Sequence, residues 1–429
     1  MHFEETTLSN GLRVITTPMP SMESATVQIA VDAGSRDEKK ETNGLAHFLE
    51  HMVFKGTKKY PSAQAISLAV DSIGAEINAN TGKERTAFHI KAWERHLSLA
   101  FDILSGFAKE PILDPEEIKR ESGVIVQEIA MYEDLPMQKA PCVFEELLYE
   151  PSSLGWDIVG KKETVEGTRQ EDFKEFMDRF YRAENMVLSI AGKFDKDKIL
   201  KMAQDYFGDI KSGGKASKVN PTDKKPEDNE SKNPEIKLSH KKTEQTHMVV
   251  GVRAYPLAHV NRYKSAVLAS ILGGGMSSRL FVEIRERRGL AYYVRGEVGD
   301  YTDKGYFGTR AGIKNGSAEE AIKVILEEYN KVAKLGEIKA EELSKAKEYI
   351  KGRMALGLED THAVADFHGD QELFEGKLRT LDDIIKEVDK VTLEDIQGLA
   401  EELFVNSRLN LAIVGPDEDK EKFQQLLKL

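Results

Sequence analysis

Two periods alternate along this chain. Apolar residues recur at every second position in short runs, which predicts strands over 11–17 (GLRVITT), 25–33 (ATVQIAVDA) and 84–92 (ERTAFHIKA). They recur at three and four positions over longer stretches, which predicts helices over 62–73, 93–107, 115–133 and 171–182. The rest of the chain repeats the mixture, with strands over 246–254, 291–299 and 303–312 and helices near 261–272, 317–334, 338–356 and 392–404. Strands come in clusters and so do helices. The pattern therefore predicts an α+β layered architecture rather than strict strand–helix alternation.

One stretch carries neither period. Lys211 to Pro234 reads KSGGKASKVNPTDKKPEDNESKNP, holds almost nothing to bury, and reads as a linker over 211–234. It leaves two segments, 1–210 and 235–429, and these look related. Glu171-Asp172-Phe173 opens a helical pattern that runs to Phe180 and Tyr181, and a strand-like run NMVLSIAG (185–192) follows. Glu394-Asp395-Ile396 opens a pattern that ends at Leu403 and Phe404, and LNLAIVG (409–415) follows. Residue 394 lies 223 after 171, and 415 lies 223 after 192. A shared, gap-free ending predicts two copies of one domain.

Composition narrows the function. A chain of 429 residues has room for two domains, and 40% hydrophobic with 31% charged residues is an ordinary globular mixture. The net charge of −12 argues against nucleic acid as a partner, since phosphate binding needs a basic face. No apolar run reaches the roughly 18 residues of a spanning helix, and Met1-His2-Phe3-Glu4-Glu5 has no apolar signal segment. The expected location is cytoplasmic, with no membrane partner. Cys142 is the single cysteine, so no intrachain disulfide forms and any metal must rely on His and carboxylates.

The chemistry concentrates in Asn43-Gly44-Leu45-Ala46-His47-Phe48-Leu49-Glu50-His51-Met52, which contains H-x-x-E-H. On a helix each residue advances about 100°, so His51 lies about 40° around from His47 and one turn up. Both imidazoles can reach one ion. Glu50 lies about 60° to the other side of His47, on the same face but poorly placed to be an equal third ligand. That leaves it free to act on a metal-bound water. Phe48 and Leu49 point away, toward a core, and Thr42 or Asn43 is the expected N-cap. Two imidazoles and a carboxylate from elsewhere, with a fourth position open, make a catalytic zinc site. On helical geometry alone, a solvated face with two polar histidines is the alternative.

The segment GLAHFLEHMVFKGT (44–57) resembles the zinc peptidases of the pitrilysin family, particularly mitochondrial processing peptidase and its small bacterial relatives. In that family the third ligand is a Glu after 76 intervening residues, a spacing that points to Glu128, within ESGVIVQE (121–128). A second Glu seven residues upstream, here Glu121, supports the site in relatives. Glu133 and Asp134, in the same acidic stretch, read as solvated surface. TLSNGLRVITTPMP (7–20) resembles the family's first strand, and GAEINANT (74–81) its substrate-binding edge strand, with Asn80 where an aromatic is common. The resemblance implies that an extended peptide adds to that edge at Asn78 and Ala79.

LGGGMSSRLFVEIRERRGLAYYV (272–294) also matches. It lacks the G-K-[ST] of a phosphate loop, and Gly273–Gly275 read as a flexible turn between helices. Relatives carry an Arg and a Tyr seven apart here, which hold substrate or the oxyanion, and these map to Arg285 and Tyr292. The second half has no H-x-x-E-H, so one Zn2+ per chain is expected. The resemblance implies two homologous layered domains of the mitochondrial processing peptidase type, each a mixed, largely antiparallel sheet packed against helices. Residues 1–210 would be catalytic with Glu50 as general base, and 235–429 a zinc-free, substrate-contacting copy. Relatives enclose their site between four such domains, which implies a homodimer in which Arg285 and Tyr292 serve the partner's zinc site. The implied substrates are oligopeptides or unfolded, presequence-like segments. The alternatives are a non-catalytic scaffold of the respiratory-core type and a subunit that needs a different partner chain.

Overall fold

The computed structural model describes residues 2–216, 234–334 and 337–429, so most of the expected linker, 217–233, lies outside the described residues. The strands form two sheets. Sheet 1 contains β1 (Glu4–Thr7), β2 (Arg13–Pro18), β3 (Ser24–Val31), β4 (Glu76–Thr81), β5 (Thr86–Trp93) and β6 (Met186–Gly192), in the order β1-β2-β6-β3-β5-β4. Sheet 2 contains β7 (Glu235–His240), β8 (Gln245–Ala254), β9 (Ala291–Asp300), β10 (Gly305–Lys314) and β11 (Leu409–Gly415), in the order β7-β11-β8-β10-β9. Each sheet has a single parallel pair, β2 with β6 and β7 with β11; the other pairs are antiparallel.

Apart from β1, the two orders are the same order. β2, β6, β3, β5 and β4 take the places of β7, β11, β8, β10 and β9. The 223-residue offset holds in three dimensions too: Met186–Gly192 matches Leu409–Gly415, and the helix Gln170–Phe180 matches Leu393–Leu403. The expected α+β architecture of two homologous, largely antiparallel layers is the observed one.

The chain packs as two compact units that are not simply its two halves. Unit 1 comprises Met1–Ala130, Trp156–Pro221 and Leu356–Leu381; unit 2 comprises Met131–Gly155, Thr222–Ala355 and Asp382–Leu429. The division at 211–234 thus describes the repeat, while each unit takes one helical segment from the other half of the sequence. In unit 1 one face of the sheet packs on the helices Leu45–Val53, Leu97–Lys109, Gln170–Phe180 and Lys196–Phe207, around Phe48, Phe88, Phe101 and Phe107. The other face is covered by Thr361–Asp370 and the residues after it, with Leu373 against Ile15, Ala30, Ala87 and Val187. Polar pairs dominate the rest of that contact: Thr17 with His368 Nδ1 at 2.9 Å, Thr26 with Thr361 at 2.9 Å, and Gln28 with Asp366 at 3.2 Å. In unit 2 the helix Pro136–Tyr149 covers β7, β11 and β8.

Two local expectations change. The helix expected over 93–107 starts only at Leu97, because Trp93 still pairs with Ser24 in the β5–β3 ladder and a 3-10 turn, Glu94–His96, intervenes. Gly273 is a packing position rather than part of a flexible turn. It closes the helix Arg262–Gly273, and a Cβ there would lie 1.9 Å from the Gly296 nitrogen on β9, so glycine is what lets helix and strand meet. Among the described residues no helix is long and apolar enough to cross a membrane.

Candidate metal centre

His47, Glu50 and His51 lie on the helix Leu45–Val53 in unit 1. Its inner face, with Phe48, Leu49 and Met52 fully buried, anchors it to the core and fixes which way the imidazoles point. Neither Thr42 nor Asn43 caps it. The N-cap is Gly44 in a left-handed conformation (φ 99°), which has no side chain to offer. The cap comes instead from Glu38, whose carboxylate accepts the Gly44 and Ala46 N–H groups at 2.7 Å each and the Asn43 side-chain amide at 3.0 Å. Burial pushes the Glu38 carboxyl up to about 8, and the three hydrogen bonds it accepts oppose that rise. Space explains the glycine: a Cβ at Gly44 would lie 2.8 Å from the Val159 carbonyl oxygen.

Glu121 and Glu128 lie on the helix Pro115–Glu133, seven residues apart and so on one face. That brings the sequence-expected residues together. His47 Nε2 lies 3.7 Å from Glu128 Oε1, and His51 Nε2 lies 3.5 Å from Glu128 Oε2. The imidazoles stand edge to face, 4.6 Å between centroids. Among the described residues, His47, His51 and Glu128 are the one group of three or more potential ligands whose donor atoms all lie within 4.8 Å of each other. Ligands about 2.0–2.1 Å from a tetrahedral zinc stand roughly 3.3 Å apart, so this donor set fits the ion with a small contraction.

The surrounding contacts orient that set. His51 Nδ1 pairs with Glu121 Oε1 at 2.9 Å, which turns Nε2 toward Glu128. Lys55, one turn after His51, takes the other Glu121 oxygen at 2.6 Å. Glu121 is 4% exposed. Burial pushes its carboxyl up, but the contacts to His51 and Lys55 outweigh it and hold the group below its ordinary value. His47 is driven down to about 4, by burial first and by neighbouring His51 second, so its ring is neutral and able to ligate. Glu50 is raised, chiefly by burial and further by Glu128, while the Thr81 hydroxyl donates to its Oε2 and opposes the rise. A carboxylate with raised proton affinity beside a ligand set is suited to proton transfer.

Thr81 ends β4, so the metal helix is tied directly to the free edge of sheet 1. Asn78 and Ala79 lie on that edge strand; Asn78 is exposed, and its Oδ1 accepts the Ala79 N–H at 2.9 Å. Arg285 and Tyr292 belong to unit 2. Arg285 sits in a π-helical turn, Phe281–Glu286, with its guanidinium 5.6 Å from the Tyr292 ring centroid. The β9–β10 register passes from Gly312–Tyr293 to Ile313–Ala291, so Tyr292 is the unpaired extra residue of a bulge. A bulge re-aims a side chain, and Tyr292 is 73% exposed. Glu133 and Asp134 are exposed, as expected of a solvated surface, and pair there with Lys139 at 2.5 Å and with Lys241 at 2.7 Å.

Three contributors escaped the sequence reading. Glu38 acts as a cap from six residues before Gly44, outside any local capping pattern. Thr81 lies inside a recognisable segment that gave its hydroxyl no role. Lys55 carried a signal, its i+4 spacing from His51 on the same helix face.

Comparisons with known proteins find chains of similar sequence and fold. Residues 13–153 match the family model described as insulinase, peptidase family M16, and residues 169–350 match the one described as peptidase M16 inactive domain. A Bacillus subtilis protein described as uncharacterized zinc protease YmxG is 35% identical over 411 residues, covering 96% of this chain and 97% of that protein. A protease from Helicobacter pylori shares the fold with a TM-score of 0.90 at 24% identity, covering 97% of this chain and 99% of that one. So does a chain in the structure described as complex III2 from Candida albicans, at a TM-score of 0.85 and 18% identity, covering 99% and 100%.

Proposed function

The chain belongs to the insulinase family of peptidases, M16, and on that footing we propose that it is a zinc endopeptidase cutting extended peptides at the centre formed by His47, His51 and Glu128. The observation that carries this reading is the spacing of those three donors beside a fourth carboxyl, Glu50, whose proton affinity is raised. A zinc ion held there supplies Lewis acidity and lowers the pKa of a bound water toward about 7. Glu50 takes the proton from the attacking water and hands it to the leaving amine, the two halves of general acid–base catalysis. Thr81 keeps that carboxyl facing the site. The free edge of β4 pairs with the peptide backbone at Asn78 and Ala79, where only extended, unfolded segments can add as a strand. Oligopeptides and presequence-like segments are the substrates.

In this reading one zinc ion binds per chain and two chains form a homodimer. Arg285 and Tyr292 then hold the substrate or oxyanion at the partner's centre. Glu50→Gln is expected to keep zinc, by metal analysis, and to lose turnover of a peptide library by at least a thousandfold. Undiminished activity would sink the assignment.

One observation favours a second reading, a non-catalytic scaffold: residues 169–350 match a domain described as inactive. Purified protein without zinc, and with no chelator-sensitive cleavage, would decide for it. A subunit that requires a different partner would elute as a monomer and cleave only after a second chain is added.

A further inference from the structure

The helix Pro136–Tyr149 covers sheet 2 over β7, β11 and β8, with Phe144 against Gly251. Val249 and Gly251 therefore mark the covered face. In register with them on β10 and β9 stand Arg310 and Arg295, paired directly across the two strands, and then Glu297. Like charges directly opposite each other in a sheet destabilise it. Little within unit 2 relieves this pair. Arg295 is exposed and has no hydrogen bond or ion pair among the described residues. The Nε of Arg310 is buried without a hydrogen-bond partner there, and its nearest carboxylate oxygen, Glu297 Oε2, is 4.0 Å away. Glu145, the other carboxylate at this end, takes the Tyr301 hydroxyl. His247 and Tyr293, joined at 3.0 Å, close the opposite side. His247 is held below its ordinary value by burial first and by the Arg310 charge second.

We propose that Arg295 and Arg310 form an anion subsite on the floor of sheet 2 that takes a carboxylate of a bound peptide. A carboxylate between two guanidiniums forms paired charge-assisted hydrogen bonds and removes the cross-strand repulsion. Arg295 lies three residues along β9 from Tyr292, about 10 Å at roughly 3.3 Å per residue. A peptide engaged at Tyr292 therefore reaches the subsite about three residues further on. The subsite rests on the peptidase reading and deepens it, by favouring peptides that place one carboxylate, from a side chain or the C-terminus, about three residues beyond Tyr292.

The test uses the full-length, zinc-loaded Glu50→Gln protein, which binds without cutting, in titration calorimetry. A cleavable peptide is made as two series, with one Glu or one Gln moved along its length, each with a free or amidated C-terminus. One Glu position, or the free terminus, is expected to bind about tenfold tighter than its neutral match. Arg295→Gln and Arg310→Gln erase that preference, and Arg310→Lys, which keeps stem and charge, retains part of it. A preference at a Glu position identifies a side-chain carboxylate, and a preference for the free acid a terminal one. Equal binding throughout, or a preference that survives both glutamine variants, overturns the subsite and leaves the peptidase reading standing. Binding by neither series overturns both.

Discussion

At the scale of single residues, the centre works through a chain of contacts that starts one side chain beyond the ligands. Lys55 fixes one oxygen of Glu121, the other oxygen fixes His51 Nδ1, and Nε2 is thereby aimed at Glu128. Glu121→Gln is expected to weaken zinc binding by about 10–100-fold in chelator competition. Lys55→Met should weaken it less, and Lys55→Arg should restore it. An unchanged zinc affinity in Glu121→Gln would break the chain. His47, His51 and Glu50 were legible in the sequence because a helix of known pitch fixes their relative directions. Glu128 was legible only through the family spacing, since nothing in the chemistry of a solvated helix distinguishes it from Glu133. Glu38 and Thr81 were not legible, because a cap and a buried hydroxyl donor delivered from distant backbone leave no periodic trace.

At the scale of elements, the two sheets give corresponding strands different tasks. β4 and β9 occupy the same edge of the same strand order; one ends in the hydroxyl that holds Glu50, the other carries the bulge that presents Tyr292. The helix after β8, Arg262–Gly273, stands where the metal helix stands after β3, yet holds no His, Asp or Glu. Periodicity found most of the strands but missed the four-residue β1 and also β7, where only Ile236 and Leu238 carry the alternation. It also missed the helix Pro136–Tyr149, whose Pro141 reads as a break. The docking of Thr361–Asp370 on sheet 1 yields a pH prediction. Burial lowers fully buried His368 to about 4. The unfolded chain takes up that proton near 6.5 and the folded chain does not. The stability that this buried ring contributes is therefore complete above pH 6.5 and falls as the pH drops toward 4, by about 2–3 kcal/mol at pH 4.5. Urea unfolding of metal-free protein at pH 7 and 4.5 measures this, and His368→Gln should shrink the difference between the two pH values. A difference as large as the parent's would assign the acid sensitivity elsewhere.

At the scale of the whole molecule, the repeat seen in the sequence is not the unit that folds. Each compact unit is completed by a helix encoded in the other half, an exchange that periodicity cannot register because it lies in the path of the chain. Separately expressed fragments 1–216 and 234–429 should each lack a cooperative thermal transition, and co-expression should restore it. A sharp transition in either fragment alone would refute the interdependence. The same exchange also sets a timetable for synthesis. Sheet 1 has all its strands once Gly192 has left the ribosome, but the segment that seals Ile15, Ala30, Ala87 and Val187 ends at Leu381. At about 5–20 residues per second, that face waits roughly 10–40 s for its cover. A nascent chain of this protein is therefore a client for whatever shields apolar surface during translation, and its yield depends on how fast the ribosome reaches the second half.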